Sequence, residues 1–231
     1  MPGTMATLSI ALINPNANAR TTAMMVGIAR DAAAGMGPGR HLSITGHTAA
    51  TGPDMIIDGE ALARSAAAVG EIVHSLAAPS AAAAPDALIV AAYGDPGLGI
   101  AETCFPGRVF GIGTASMHAA AAEGRRFAIA TTTPGLVAVI DARAEALGLG
   151  GAYAGVFLTR TGPLELAADL DRQRDELASA VATAVRVGGA DAVIIGGGPL
   201  ARSARELAPH LEVPLIEPIP AALRAAATVL G

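Results

Sequence analysis

The 231-residue chain contains no lysine and no tryptophan, and all 15 of its basic residues are arginine. A pyridoxal Schiff base and a nucleotide-binding P-loop both need a lysine, so both chemistries are excluded. The single cysteine, Cys104, rules out an internal disulfide and is expected of a protein in a reducing cytoplasm. Cysteine and histidine show no structural-zinc spacing, so no metal is expected. No uninterrupted apolar run reaches the roughly 18 residues of a bilayer span. Met1-Pro2-Gly3-Thr4-Met5 has no basic stretch ahead of a long apolar core, so neither membrane insertion nor a signal peptide is expected. The net charge is −5 and the arginines are scattered, without the basic stripe that tracks a phosphate backbone, so nucleic acid is not an expected partner.

What is present is core-forming sequence. Hydrophobic residues make up 52% and charged residues only 15%, which excludes disorder, and the length suffices for one large domain or two small ones. The run Ala87-Leu88-Ile89-Val90-Ala91-Ala92 empties into Tyr93-Gly94-Asp95-Pro96-Gly97-Leu98, a buried strand followed by a tight turn. Ala192-Val193-Ile194-Ile195 likewise empties into Gly196-Gly197-Gly198-Pro199. In parallel sheets small ligands bind just beyond the carboxyl ends of the strands, so the two turns are candidate walls of one cleft. They are equally readable as ordinary strand–helix connections.

The remaining elements alternate. Leu8–Ile13 is a first strand, followed by Asn14-Pro15-Asn16-Ala17-Asn18 and a helix capped by Thr21 or Thr22 that stops at Gly35–Gly39. Leu42–Thr45 is a short second strand. His47 to Asp58 reads as a polar loop near the cleft, and a helix follows from Gly59 to Leu76. After the Ala87 strand come a helix through Cys104, an apolar piece at Val109–Gly113 and a helix with Met117 and His118. A second round runs from the strand Arg126–Ala130 and Thr131-Thr132-Thr133 through a helix to Leu147 and a strand at Tyr153–Leu158. It continues with a long helix over Pro163–Val187, the glycine-rich strand end, Val213–Glu217 and a terminal helix. Strands alternating with helices predict a parallel α/β sheet. Ile13, Val90 and Ile112 are echoed at Ile129, Ile195 and Ile216, a pattern of two similar α/β halves facing each other.

Ile13-Asn14-Pro15-Asn16, Gly94-Asp95-Pro96-Gly97-Leu98, Met117-His118 and Gly124-Arg125-Arg126-Phe127 with Thr131-Thr132 together resemble the hydantoin racemase branch of the aspartate/glutamate racemase superfamily. The resemblance extends from Ile10 to about Ala225. It implies two α/β subdomains with a cleft between them, no cofactor, an oligomeric assembly, and a small ring or carboxylate substrate bearing an acidic C–H bond. The expected division is 1–113 plus 208–231 for the first subdomain and 114–207 for the second. Such enzymes carry two cysteines, one thiolate removing a proton from one face of the carbon and one thiol returning it to the other. By the motifs these positions are Ala92 and Gly197, neither of which can accept a proton. Cys104 lies on the helix leaving the turn and is expected to be an inert buried hydrophobe.

Other groups must then handle the proton. Asp95 at a strand mouth, Glu217 at the end of the last strand, His47 in the polar loop and Tyr93 beside the missing thiol are the catalytic candidates. For Asp95 a turn-forming structural role competes, and His118 reads as a structural histidine. Asn14, Asn16, Ala92, Gly94, Thr131, Thr132, Gly197 and Gly198 are the substrate-binding candidates, since polar turns at helix starts offer N–H groups to a carboxylate or oxyanion. For Asn16 and Thr132 the competing role is helix capping. Gly196-x-Gly198-x-x-Ala201 with Glu217 loosely matches a dinucleotide fingerprint, but too little sheet follows it to complete a nucleotide fold. The expected function is cofactor-independent attack of water, hydrolysis or desulfuration, on a hydantoin-like or thiohydantoin-like ring or a related small cyclic amide or acid. The alternatives are a racemase with carboxylate or histidine bases, and a binding protein that kept the cleft and lost the chemistry.

Overall fold

The computed structural model describes residues 7–37, 41–79 and 83–230, so Gly39, the expected stop of the first helix, lies outside the described residues. The elements run β1 (Thr7–Asn14), α1 (Ala19–Ala34), β2 (His41–Thr48), α2 (Gly59–Ala77), β3 (Ala87–Val90), α3 (Leu98–Cys104), β4 (Val109–Gly111) and α4 (Ile112–Ala121). They continue with β5 (Phe127–Thr131), α5 (Val137–Ala146), β6 (Tyr153–Leu158), α6 (Pro163–Leu166), α7 (Leu170–Arg186), β7 (Ala192–Ile195), α8 (Ala201–Leu207), β8 (Leu215–Ile216) and α9 (Pro218–Leu230). The strands form two four-stranded parallel sheets with the same topology, β2-β1-β3-β4 and β6-β5-β7-β8. The two halves foreshadowed by the echoed strands are thus two sheets with matching strand order.

Each central strand is apolar on both faces because helices cover both sides. In the first sheet Ile10, Leu12 and Ile89 face α1 and α9, while Ala11, Ile13, Leu88 and Val90 face α2 and α3. In the second, Ala128, Ala130, Val193 and Ile195 pack on α7 and α8, and Phe127, Ile129, Ala192 and Ile194 on α4 and α5. The chain completes the second sheet with β8 before crossing back, so its return begins at Pro218 rather than at 208. From there Ile219, Ala222, Leu223 and Ala226 of α9 bury against the first sheet. Among the described residues no helix is long and apolar enough to cross a membrane.

Local chemistry moved two boundaries. Helix α1 begins three residues before Thr22, because the extended Asn18 turns its side-chain oxygen onto the N–H groups of Arg20 and Thr21. The expected long helix Pro163–Val187 breaks after Leu166, because Asp169 caps a new helix through the Arg172 N–H at 3.0 Å. His47 and Thr48, expected in a loop, extend β2 alongside Ile13 and Asn14 of β1.

Candidate functional site

The carboxyl ends of β1, β3, β5 and β7 converge, and the residues just beyond them line one cavity of about 90 Å³ between the two sheets. Asn16 follows β1, Ala91–Tyr93 follow β3, Thr132 and Thr133 follow β5, and Gly196–Pro199 follow β7. Two segments complete the wall. The loop between β2 and α2 contributes Met55 and Ile56 and is tied down where the Ala17 N–H donates to the Pro53 carbonyl at 3.0 Å. The α6 segment contributes Pro163 and Ala167 from the opposite lobe.

Among the described residues no aspartate, glutamate, histidine, cysteine or arginine lines this cavity. Its polarity comes from donors. The backbone N–H groups of Ala92, Tyr93, Thr132, Thr133 and Gly198 meet no acceptor among the described residues. The Asn16 side-chain oxygen accepts from Asn14 Nδ2 at 2.9 Å and from the Asn18 N–H at 3.0 Å, leaving its own NH₂ without a partner among the described residues. Asn14, almost fully buried, is the scaffold: its Nδ2 also donates to Thr22 Oγ1 at 2.9 Å, and its Oδ1 accepts the Asn16 N–H at 3.2 Å. Such a set of preset donors in a partly dry pocket suits carbonyl oxygens and a developing oxyanion.

Of the residues singled out from the sequence, Asn16, Ala92, Tyr93, Thr132, Gly197 and Gly198 come together on the cavity wall. Asn14, Gly94 and Thr131 lie behind it, and Thr131 Oγ1 donates to the Gly196 carbonyl at 2.7 Å, tying β5 to the β7 turn. The proton-carrier candidates are engaged elsewhere. Asp95, in a left-handed conformation (φ 51°), accepts the N–H of Gly113 at 2.8 Å and the N–H and hydroxyl of Thr114 at 2.7 and 2.6 Å. It therefore caps α4 from a distance, and a Cβ on Gly111 would sit 2.3 Å from its carboxyl carbon. Burial pushes the Asp95 carboxyl up, while the Thr114 and Gly113 bonds pull it down. Glu217 pairs with Arg205 Nε at 3.0 Å, and the same guanidinium reaches Asp31 at 2.8 Å, linking α8 to α1. His47 stands half-buried on the edge strand β2 outside the cavity, its pKa lowered by burial. Tyr93 lines the cavity; its buried hydroxyl lies near Ser116 but meets no partner in hydrogen-bond geometry among the described residues, and burial raises its pKa. Cys104 closes α3 and packs against the Val69–Phe105 core, away from the cavity.

Several wall residues escaped the sequence reading. Met25 belongs to an apolar helix face, and only the close approach of its sulfur to Gly198 reveals it as wall. Gln173 sits on the buried face of α7 beside Leu177 and Ala180; a glutamine in that apolar stripe is the signal that could have found it. Among the described residues no three side chains of His, Cys, Asp or Glu gather as a metal site.

A family model described as Asp/Glu/Hydantoin racemase matches residues 10–226. The hydantoin racemase of Paenarthrobacter aurescens is 27% identical over 147 residues, 64% of this chain and 62% of that enzyme, so the chain spans under two thirds of the curated relative it matches. The allantoin racemase of Klebsiella pneumoniae superposes with a TM-score of 0.86 and 25% identity, over 97% of this chain and 88% of that one. The allantoin racemase of Pseudomonas fluorescens gives the same TM-score at 24% identity over 96% and 91%, a likeness of fold.

Proposed function

The chain belongs to the Asp/Glu/hydantoin racemase family, and from that premise we propose that it acts on a small, uncharged cyclic amide of hydantoin or thiohydantoin type by attack of water on a polarised ring carbonyl or thiocarbonyl. The observation that carries this reading is the donor-rich cavity on whose wall, among the described residues, no aspartate, glutamate, histidine, cysteine or arginine stands. Uncompensated burial of a charged ligand costs far more than burial of a neutral ring, and among the described residues no cationic side chain lines the cavity to meet a carboxylate. The free N–H groups around Thr132, Thr133 and Gly198 would hold the ring oxygen as it gains negative charge. In ring opening the water oxygen bonds to the carbonyl carbon, the C–N bond breaks, and a water proton ends on the departing nitrogen. Ala92 and Gly197, where the resemblance places the two thiols, offer nothing to exchange a proton with the ring carbon.

Single-enantiomer 5-substituted hydantoins and thiohydantoins test this directly. Ring opening or sulfide release supports it; loss of optical rotation with the ring intact refutes it. A second reading, a binding protein without turnover, is favoured by the same absence of a carboxylate or histidine from the wall among the described residues, since neither stands there to activate water. Ligand-induced thermal stabilisation without product would select it. Racemisation by carboxylate or histidine bases would place solvent deuterium on the acidic carbon, and its candidates Asp95, Glu217 and His47 are all off the wall. The reading includes a cytoplasmic protein, for which the lone cysteine speaks, and an oligomeric one, which light scattering on the purified chain would test.

A further inference from the structure

The geometry points to Gln173 as a specificity-determining residue that pairs, through both atoms of its amide, with an N–H and a C=O on one edge of the ligand ring; this rests on the cyclic-amide reading above. Gln173 lines the cavity from the second lobe and is 5% exposed. Its Nε2 donates to the Leu166 carbonyl at 3.3 Å, and its Oε1 accepts from Ser203 Oγ at 3.0 Å. The Leu166 carbonyl can only accept, so it fixes which end of the amide is nitrogen. The two bonds span α6 and α8, holding the amide plane in place before any ligand arrives.

Half of the hydrogen-bonding capacity of that amide is unspent. One N–H of Nε2 and one lone pair of Oε1 have no partner among the described residues. Leu166 of α6 and Ser203 of α8 engage the other half, and the side chain itself lines the cavity. A donor and an acceptor side by side on one rigid plane match a cis-amide edge, the same bidentate logic by which glutamine reads adenine. Small rings force their amides cis, whereas open-chain amides are trans and present donor and acceptor on opposite edges. The cavity volume of about 90 Å³ has room for about six to nine water-sized groups, the size of a five-membered ring with two exocyclic oxygens. One ring edge would meet Gln173, leaving a second carbonyl for the free N–H groups at Thr132 and Thr133.

The test is calorimetric titration of hydantoin and 1,3-dimethylhydantoin into the wild-type protein and into Gln173→Leu. Wild type is expected to bind hydantoin about tenfold or more tightly than the dimethyl compound, because methylation leaves the buried Gln173 acceptor unpaired. Gln173→Leu is expected to bind the two within about threefold of each other. Discrimination that persists undiminished in Gln173→Leu would assign it to shape and overturn the proposal. Failure of hydantoin to bind wild type at all would instead remove the cyclic-amide reading on which it stands. Should the leucine variant not fold, the Gln173 side-chain amide resonances of ¹⁵N-labelled wild type decide. They shift with hydantoin and stay put with the dimethyl compound if the pairing is real, and respond alike to both if it is not.

Discussion

Replacing Asp95 with alanine should destabilise this protein strongly before it tells anything about catalysis. The carboxylate is 3% exposed and accepts three hydrogen bonds of 2.6–2.8 Å from Gly113 and Thr114, the second and third residues of α4. Hydrogen bonds to a charged acceptor contribute roughly 1.5–3 kcal/mol each, though they do not simply add. Without them two N–H groups of the first helical turn are left unpaired in the interior. Loss of one side of a buried charged network costs about 3–5 kcal/mol, a large share of a total stability of about 5–15 kcal/mol. For a chain of this length that corresponds to a fall in Tm of about 6–20 °C. Asp95→Asn should lose roughly half as much, since asparagine tolerates the positive φ and keeps one acceptor but turns an NH₂ toward an N–H. Thermal and urea unfolding followed by circular dichroism would measure both. An alanine variant that melts within about 2 °C of wild type while losing turnover would refute the capping argument and return Asp95 to the chemistry.

Three further outcomes follow from the same structure. Tyr93→Phe removes a buried hydroxyl that lies near Ser116 but has no partner in hydrogen-bond geometry among the described residues, so stability should hold or rise by about 1 kcal/mol with ligand affinity unchanged; a large loss of affinity by calorimetry would make the hydroxyl functional. Gly197→Ala places a Cβ on a residue at φ 156° and 3.2 Å from Leu200. About 1–3 kcal/mol of stability should be lost, and an unchanged denaturation midpoint would contradict the strain. Glu176 is held down at about 2, against an ordinary 4.5, chiefly by the Thr161 hydroxyl and N–H, with Arg172 beside it. A depressed carboxylate stabilises the fold above its ordinary value and loses that contribution as pH falls from about 4.5 toward 2. Tm measured down that range should therefore fall, and Glu176→Gln should flatten the dependence; parallel pH profiles for the two proteins would exclude this role.

Much of the architecture was legible because parallel α/β sheets write themselves plainly. Doubly buried strands read as short apolar runs, and the turns after Val90 and Ile195 are punctuated by glycine and proline. Those turns led to Ala92 and Gly197, and the polar turns after β1 and β5 led to Asn16 and Thr132, all on the wall. Boundaries were less legible where one side chain outvoted a pattern, as when Asn18 started α1 early and Asp169 split a helix. The proton carriers were hardest to place: a carboxylate at a strand mouth looks the same whether it faces a ligand or, like Asp95, a helix start 18 residues on.

From its sequence alone the protein was bound to be a lysine-free parallel α/β chain in two echoing halves, with donor-bearing turns at its strand ends. Those features depend on the order of neighbouring residues, and local chemistry reads that order directly. Only the tertiary structure decided which strand ends share a cavity, that Asp95, Glu217 and His47 stand outside it, and that Gln173 and Met25 belong to its wall. These depend on how helices from distant parts of the chain pack across two sheets, where the direction of a side chain is set by its neighbours in space.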